Sequence, residues 1–247
     1  MELTEYEQII PNIIVDGMTF IVPNTHCAWR IETLYTKEPD TIAWIRSMKQ
    51  GDVLYDIGAN IGQYSIFAAK HGLIVHAFEP EAQNFALLCR NVAINKFTPD
   101  QIQVWPLALS DKPSIQQIHL SVCMAGGSCH SYGESKDYHG NNKTFPYSHG
   151  SVSTTIDIFA HSNAKPTHIK IDVDGFEHLV IAGAISELQT VKSVLIEINT
   201  AYPQHKELVQ YMTKLGFELD PTQVEAAMRK EGPFKGVGNQ IFYRDLP

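Results

Sequence analysis

The stretch VLYDIGANIGQYSIFAAKHGLIVHAFE at 53 to 79 restricts the fold more than any other, because it joins two apolar runs through a glycine turn and a helical segment. VLYDIG at 53–58 and LIVHAFE at 73–79 are too continuously apolar for a sheet with one wet face, so they read as parallel strands covered on both sides. Between them, IGQYSIFAAKHG at 61–72 reads as a helix closed by a glycine. A chain that repeats this unit folds as a doubly wound α/β sheet.

The unit does repeat. A helix follows with Phe85, Leu88, Cys89 and Val92 at i, i+3, i+4 and i+7. QIQVWPLAL at 101–109 reads as a third strand and IQQIHLSV at 115–122 as an extra one. THIKIDVD at 167–174 and SVLIEIN at 193–199 are two more, with a helix around 176–188 between them. A helix over 203–215 gathers Leu208, Val209, Met212 and Leu215 on one face, and NQIFYRD at 239–245 is the last strand.

Ahead of this domain, Asp16-Gly17 between two apolar runs at 12–23 predicts a hairpin. Residues 24–50 read as helical, with Asp40 as N-cap and Gly51 as stop. The expected organisation is a hairpin and helical cap at 1–50 on a domain spanning 51–247. Residues 121–150 interrupt the rhythm with Gly126, Gly127, Gly133, Gly140 and Gly150 beside Tyr132, Tyr138, Tyr147, His130, His139 and His149. A loop this long is commonly functional or disordered, and the expectation is a mobile lid, with a solvated insertion as the alternative.

Composition narrows the function classes. The 247 residues suit one large domain or one domain plus a small attachment, and 19 basic against 27 acidic side chains leave a net charge of −8, so neither nucleic acid nor anionic lipid is an expected partner. No apolar run is long enough to span a bilayer, and no Lys or Arg precedes Arg30, so a cytoplasmic protein is expected. Cys27, Cys89, Cys123 and Cys129 are too few and irregular for a disulfide framework. Cys123, Cys129, His130 and His139 lack the tight pairing of a zinc site, and no metal is assigned to them.

Ligands of open α/β sheets bind beyond the carboxyl ends of the strands. DIGANIG at 56–62 occupies that place, but Gly58 and Gly62 do not make the G-x-G-x-x-G of a dinucleotide site, and no Gly-Lys-Ser/Thr follows for a P-loop. The turn suits close approach by an uncharged part of a ligand, with Asp56 able to meet an ammonium, as on a zwitterionic sulfonium. Glu79, 23 residues on and ending the next strand, can accept both hydroxyls of a ribose. The pair points to an adenosine-like ligand without phosphate. The bland reading is that Asp56 caps the helix and Glu79 ends its strand on the surface.

DIGANIGQYSIFAA, HAFEPEAQN, ALSD at 108–111, IDIF at 156–159 and HIKIDVDGFEHLVIAGA at 168–184 resemble, in order, the signature segments of FkbM-type S-adenosylmethionine-dependent methyltransferases. The resemblance covers about 51–199. It implies a class I methyltransferase (Rossmann-like) fold, with Asp56, Gly58, Asn60 and Gly62 around the methionine and ribose end. It also implies Glu79 on the ribose diol and Ala108, Leu109 and Ser110 near the adenine; Ala59, Tyr64, Pro80 and Asp172 are assigned to the same cofactor site. Where family members often carry Asp-Val-Glu-Gly, this chain has Asp172-Val173-Asp174-Gly175.

Methyl transfer from a sulfonium needs positioning above all, and a hydroxyl nucleophile also needs a base. Lys170, Asp172 and Asp174 alternate along the sequence and are expected on one strand face, with Asp172 as base or substrate orienter and a buried Lys170–Asp172 ion pair as the competing reading. Glu197 and Asn199 share a face of the neighbouring strand, and with Asp172 they offer a minority Mg²⁺ reading. His178 reads as a satisfied helix-start histidine. The expected function is O-methylation of a small-molecule hydroxyl acceptor, such as a sugar or secondary metabolite, with the oligomeric state open. The alternatives are a non-catalytic binding or scaffold protein of the same fold and, less favoured, an NAD(P)-dependent oxidoreductase.

Overall fold

The computed structural model describes residues 10–245; residues 1–9 of the expected cap and 246–247 of the main domain lie outside the described residues. The hairpin is present as β1 (Asn12–Val15) and β2 (Met18–Ile21), with Asp16 and Gly17 both at positive φ, as a two-residue turn between twisted strands requires. Two helices follow, α1 (Thr25–Glu32) and α2 (Pro39–Ser47). The N-cap of α2 is Glu38 rather than Asp40: Pro39 has no amide hydrogen to satisfy and occupies the first helical position, which moves Asp40 into the first turn.

The next elements are β3 (Val53–Ile57), α3 (Gln63–Lys70), β4 (Ile74–Phe78), α4 (Ala82–Ile94) and β5 (Ile102–Trp105). The expected single strand over 101–109 breaks at Pro106, which cannot donate to a ladder. Leu107 N–H turns back onto the Trp105 carbonyl, and Ala108–Leu109 becomes β6 of a second sheet. That sheet also takes β7 (Ser114–Leu120), β8 (Ser131–Tyr132) and β9 (Tyr147–Thr154), in the order β6-β9-β7-β8. The extra strand at 115–122 thus belongs to a separate layer, and the 121–150 segment contains paired strand as well as loop. β9 escaped the sequence because YSHGSVST has no apolar run.

The chain continues through α5 (Ile156–Ser162), β10 (His168–Ile171), α6 (Glu177–Ala182) and a short 3₁₀ turn at Glu187–Gln189. It ends with β11 (Ser193–Asn199), α7 (Pro203–Lys214), β12 (Glu218–Leu219), α8 (Pro221–Ala227) and β13 (Val237–Tyr243). The main sheet has the order β12-β13-β11-β10-β3-β4-β5, with β13 antiparallel to β11 and β12 and the other pairs parallel. From β3 the chain winds outward through β4 and β5, then returns on the other side through β10 and β11. The carboxyl ends of β3 and β10 therefore flank the crevice where such sheets bind ligands.

Both sheet faces are covered. Phe20, Ile31, Trp44, Leu54, Phe67 and Leu88 share one apolar cluster, so the N-terminal hairpin and helices pack into the core of the main domain. Asn91 and Asn95 of the α4 region bind the backbone of β2 at Ile21 and Thr19. Tyr55, Phe78, Ile169, Val180, Ile196 and Met212 form the other cluster. Among the described residues, no helix is long and apolar enough to cross a membrane.

Candidate active site

A cavity of about 810 Å³ opens at the carboxyl ends of β3, β4 and β10. Gly58 is required there by the fold: its φ is +81°, and a Cβ on it would lie 1.9 Å from the Asp172 carbonyl oxygen. The two strand ends are therefore in backbone contact, and Gly58 and Ala59 amides both donate to the Phe78 carbonyl at 3.0 Å. Gly58, Asn60, Glu79, Pro80, Ala108, Leu109 and Ser110 line one side of the cavity. Asp56, Ala59, Gly62 and Tyr64 stand behind that wall.

Asp56 is 1% exposed. It accepts from Ser65 Oγ at 2.5 Å and lies 3.4 Å from Lys170 Nζ, so the ammonium it meets belongs to the protein. Tyr64 lies under Lys170, whose Nζ is 5.3 Å from the ring centroid, and donates its hydroxyl to Glu38 Oε2 at 2.8 Å. Glu79 is not a surface strand end: it is 5% exposed, and its two oxygens accept from the Asn60 and Glu81 amides, each at 2.8 Å. Burial pushes its carboxyl up to about 7 against those two hydrogen bonds.

Lys170, Asp172, Asp174 and Glu197 line the opposite side. Lys170 reaches Asp172 Oδ2 at 3.4 Å, as the shared strand face predicts, and the ion pair of the competing reading exists within the same cavity. Burial works to raise the Asp172 carboxyl, but Lys170, Lys37, Arg30 and Arg229 outweigh it and hold the group below its ordinary range. Asp174 departs from the expected alternation. β10 ends at Ile171, Asp174 takes a left-handed φ of 57°, and its Oδ2 accepts from the Cys129 amide at 2.6 Å. Burial, then the charge of Asp172, pushes the Asp174 carboxyl up to about 7.

In the Asp172, Glu197 and Asn199 set of the Mg²⁺ reading, each side chain has a protein partner. Glu197 Oε1 is held by Arg229 Nη1 at 3.1 Å, and Asn199 spends its side chain on the Tyr138 carbonyl, His139 Nδ1 and the Ala201 amide. Among the described residues, no three His, Cys, Asp or Glu side chains are grouped to hold a metal. His178 lies outside the cavity wall, edge-on to the Tyr202 ring.

Two features escaped the sequence reading. Arg229 bridges Glu197 and Glu38, residues far apart in the chain, so no local pattern announces the cluster. The second is how the 121–150 segment is fastened. The Asn84 side chain accepts from the Gly126 amide at 2.7 Å and donates to the Gly127 carbonyl, which also takes Asn60 Nδ2 at 2.7 Å. Asn24 binds the Ala125 carbonyl and Arg30 Nε the Gly126 carbonyl, both at 2.9 Å. Within the 121–150 segment, residues 125–127 are therefore tethered to other segments, and Gly127, Ser128 and Cys129 line the cavity. The signal was the asparagines, whose amides can satisfy a glycine-rich backbone.

The sequence profile described as the methyltransferase FkbM domain matches residues 56–219. Hexuronic acid methyltransferase AglP of Haloferax volcanii is 27% identical over 180 residues, which is 73% of this chain and 70% of the relative. The 31-O-demethyl-FK506 methyltransferase FkbM of Streptomyces tacrolimicus is 37% identical over 73 residues, 29% of this chain and 27% of its own length. In three dimensions, the FkbM methyltransferase from Methylobacillus flagellatus superposes with a TM-score of 0.50 at 16% identity, covering 78% of this chain and 44% of the neighbour. Magnesium protoporphyrin IX methyltransferase from Synechocystis, solved with bound S-adenosylmethionine, gives 0.51 at 10% identity over 98% of this chain and 90% of its own. These two likenesses establish the class I methyltransferase fold. With the family profile extending from Asp56 in β3 to Leu219 in β12, the chain belongs to the FkbM family of S-adenosylmethionine-dependent methyltransferases.

Proposed function

We propose that this chain methylates a hydroxyl group on a small, polyhydroxylated acceptor, with Asp174 as the general base. The observation that carries the reading is that one cavity is lined both by Gly58, Asn60, Glu79 and Ala108–Ser110 and by Asp172, Asp174 and Glu197. The first set suits the cofactor: a carboxylate for a ribose diol, a backbone turn without a pyrophosphate nest, and the Ala108–Ser110 strand end. Bound there, S-adenosylmethionine supplies a methyl group activated by a sulfonium.

The chain's own work is to orient the acceptor and take its proton. A base is most effective with a pKa near the working pH, which favours Asp174 over Asp172, because Lys170 makes Asp172 a stable and weakly basic carboxylate. Asp172, and the Glu197 oxygen that Arg229 leaves free, are acceptors for other hydroxyls of the substrate in this reading. Trp29 and Phe234, also on the cavity wall, offer aromatic faces for a ring. AglP, named for a hexuronic acid, favours a sugar-like acceptor, and the cavity cations Arg30, Lys37 and Arg229 are compatible with one bearing a carboxylate.

The test offers S-adenosylmethionine with a panel of glycosides, uronic acids and phenolic alcohols and follows S-adenosylhomocysteine by mass spectrometry. Methylation of a hydroxyl acceptor, abolished by Asp174→Asn with cofactor binding retained, is the expected result. Cofactor binding without turnover on any class of acceptor, oxygen or nitrogen, would instead favour the binding or scaffold reading.

A further inference from the structure

Glu177 is 0% exposed, lies at the first position of α6, and carries a carboxylate that no ligand can reach. Its oxygens are nevertheless fully used. Oε1 accepts from the Val173 amide at 2.9 Å, and Oε2 accepts from the Gly175 amide at 3.0 Å and faces His205 Nε2 at 3.0 Å. His205 is 1% exposed, and its Nδ1 accepts from the Asn199 amide at 3.0 Å. That contact with β11 holds the His205 ring against Glu177, with Nε2 3.0 Å from Oε2. The carboxylate thus holds the amides of the residues on either side of Asp174, Val173 and Gly175, and lies against His205, which the end of β11 holds.

The clamped turn is an unusual one. Asp174 has φ 57° and Gly175 φ 110°, and a Cβ on Gly175 would meet the Tyr138 Cα at 3.2 Å. An aspartate in left-handed backbone is costly and persists where its surroundings impose it. Val173 and Gly175 amides have no strand partner here, because β10 has already ended. Without an acceptor they would be orphaned donors in a buried turn.

We infer that Glu177 is a positioning residue of the methyl-transfer site, holding the Asp172–Gly175 turn so that the Asp172 and Asp174 carboxylates project into the cavity, with His205 as its own support. The assignment rests on the proposed role of Asp174 and extends it to a residue that touches neither substrate nor cofactor. Glu177 acts in two ways: through the two amides it fixes the turn, and through its charge it joins Asp172 in opposing ionisation of Asp174. Arg30 and the Cys129 amide act in the opposite direction, and Glu79 and Glu197 are the other carboxylates coupled to Asp174.

The test compares the full-length wild type with Glu177→Gln and His205→Gln. Carbon-13 NMR of the Asp174 carboxyl reads the site whether or not an acceptor is known. Glu177→Gln should lower the Asp174 midpoint by about one unit, since a buried like charge is removed. Where an acceptor is in hand, kcat should fall at least about tenfold, while S-adenosylhomocysteine affinity by calorimetry stays within about twofold. His205→Gln keeps the Glu177 charge but removes the imidazole packed 3.0 Å from its carboxylate; it should leave the Asp174 midpoint in place and lower kcat several-fold. A Glu177→Gln protein that melts earlier but keeps the Asp174 midpoint would reduce Glu177 to a helix cap and overturn the inference. If Glu177→Gln does not fold, unchanged kcat in His205→Gln overturns it equally. An inactive wild type with a shifted Asp174 midpoint in the variant would count against the proposed reaction and not against the clamp.

Discussion

Asp56 and Lys170 are register partners on the parallel strands β3 and β10, their charged atoms 3.4 Å apart and each residue 1% exposed. Asp172, 3.4 Å from the same ammonium on the other side, makes Lys170 the bridge between the sheet interior and the cavity. Burial opposes the lysine's charge, yet Asp172, Asp56 and Glu38 more than offset it, so the ammonium stays charged well above its ordinary pKa.

Removing that ammonium leaves buried carboxylates uncompensated. Lys170→Met should therefore cost about 3–5 kcal/mol in urea unfolding. The double variant Lys170→Met/Asp56→Asn should recover part of the loss, because the two residues are coupled. Additive losses would show that Asp56 and Lys170 act independently.

Glu79 titrates near pH 7 because burial disfavours its charge. With Glu79 on the ribose diol, as proposed, the hydroxyls would donate to its ionised form, so S-adenosylhomocysteine affinity should weaken as pH falls below about 7, by up to about tenfold per unit. Glu79→Ala should bind about 10- to 100-fold more weakly at pH 8 and lose the pH dependence, as the loss of charge-assisted bonds implies. Calorimetry from pH 6 to 8.5 measures both; unchanged binding in the variant would remove Glu79 from the ribose site.

Asp174 is also raised to about 7. Its folded pKa lies above its unfolded one, so the stability it contributes is complete below about pH 4 and is lost as pH rises to about 7. Asp174→Asn has no such loss and should gain on the wild type by about 1.4 kcal/mol per pH unit across that window, then level off. Buried His76 and His130, both lowered to about 4, slope the other way, and subtracting the two proteins cancels them. Urea unfolding between pH 4.5 and 8 reads the difference; a flat difference would mean that Asp174 ionises as an exposed aspartate.

Asn84 is 1% exposed and holds residues 126 and 127 through both ends of its amide. The Gly126 amide should therefore exchange slowly with solvent even without ligand. Asn84→Ala should speed that exchange and cost about 1–3 kcal/mol by leaving the Gly126 amide and Gly127 carbonyl short of partners. Fast exchange at Gly126 in the wild type would instead mean that these bonds do not hold the segment, as a mobile lid over 121–150 requires.

Local pattern alone determined much of this protein. The apolar continuity of VLYDIG and LIVHAFE announced buried parallel strands, and the Asp16-Gly17 turn announced the hairpin. Glu79 could be placed at a strand end because side-chain direction and strand length are properties of neighbouring residues. The tertiary structure decided what required distant segments to meet. The Asp56 charge is met by Lys170 because β10 returns beside β3, and Arg229 joins Glu38 and Glu197 only once the sheet is wound. Asp174 leaves the alternation of Lys170 and Asp172 because the strand ends at Ile171 and Glu177 captures the amides that follow. The glycines of 121–150 read as a mobile lid, but the asparagines that fasten residues 125–127 within it stand at 24, 60 and 84. Periodicity reports which side chains share a face along one segment; the electrostatic and hydrogen-bond partners that set a group's charge and position come from other segments, and only folding brings them within reach.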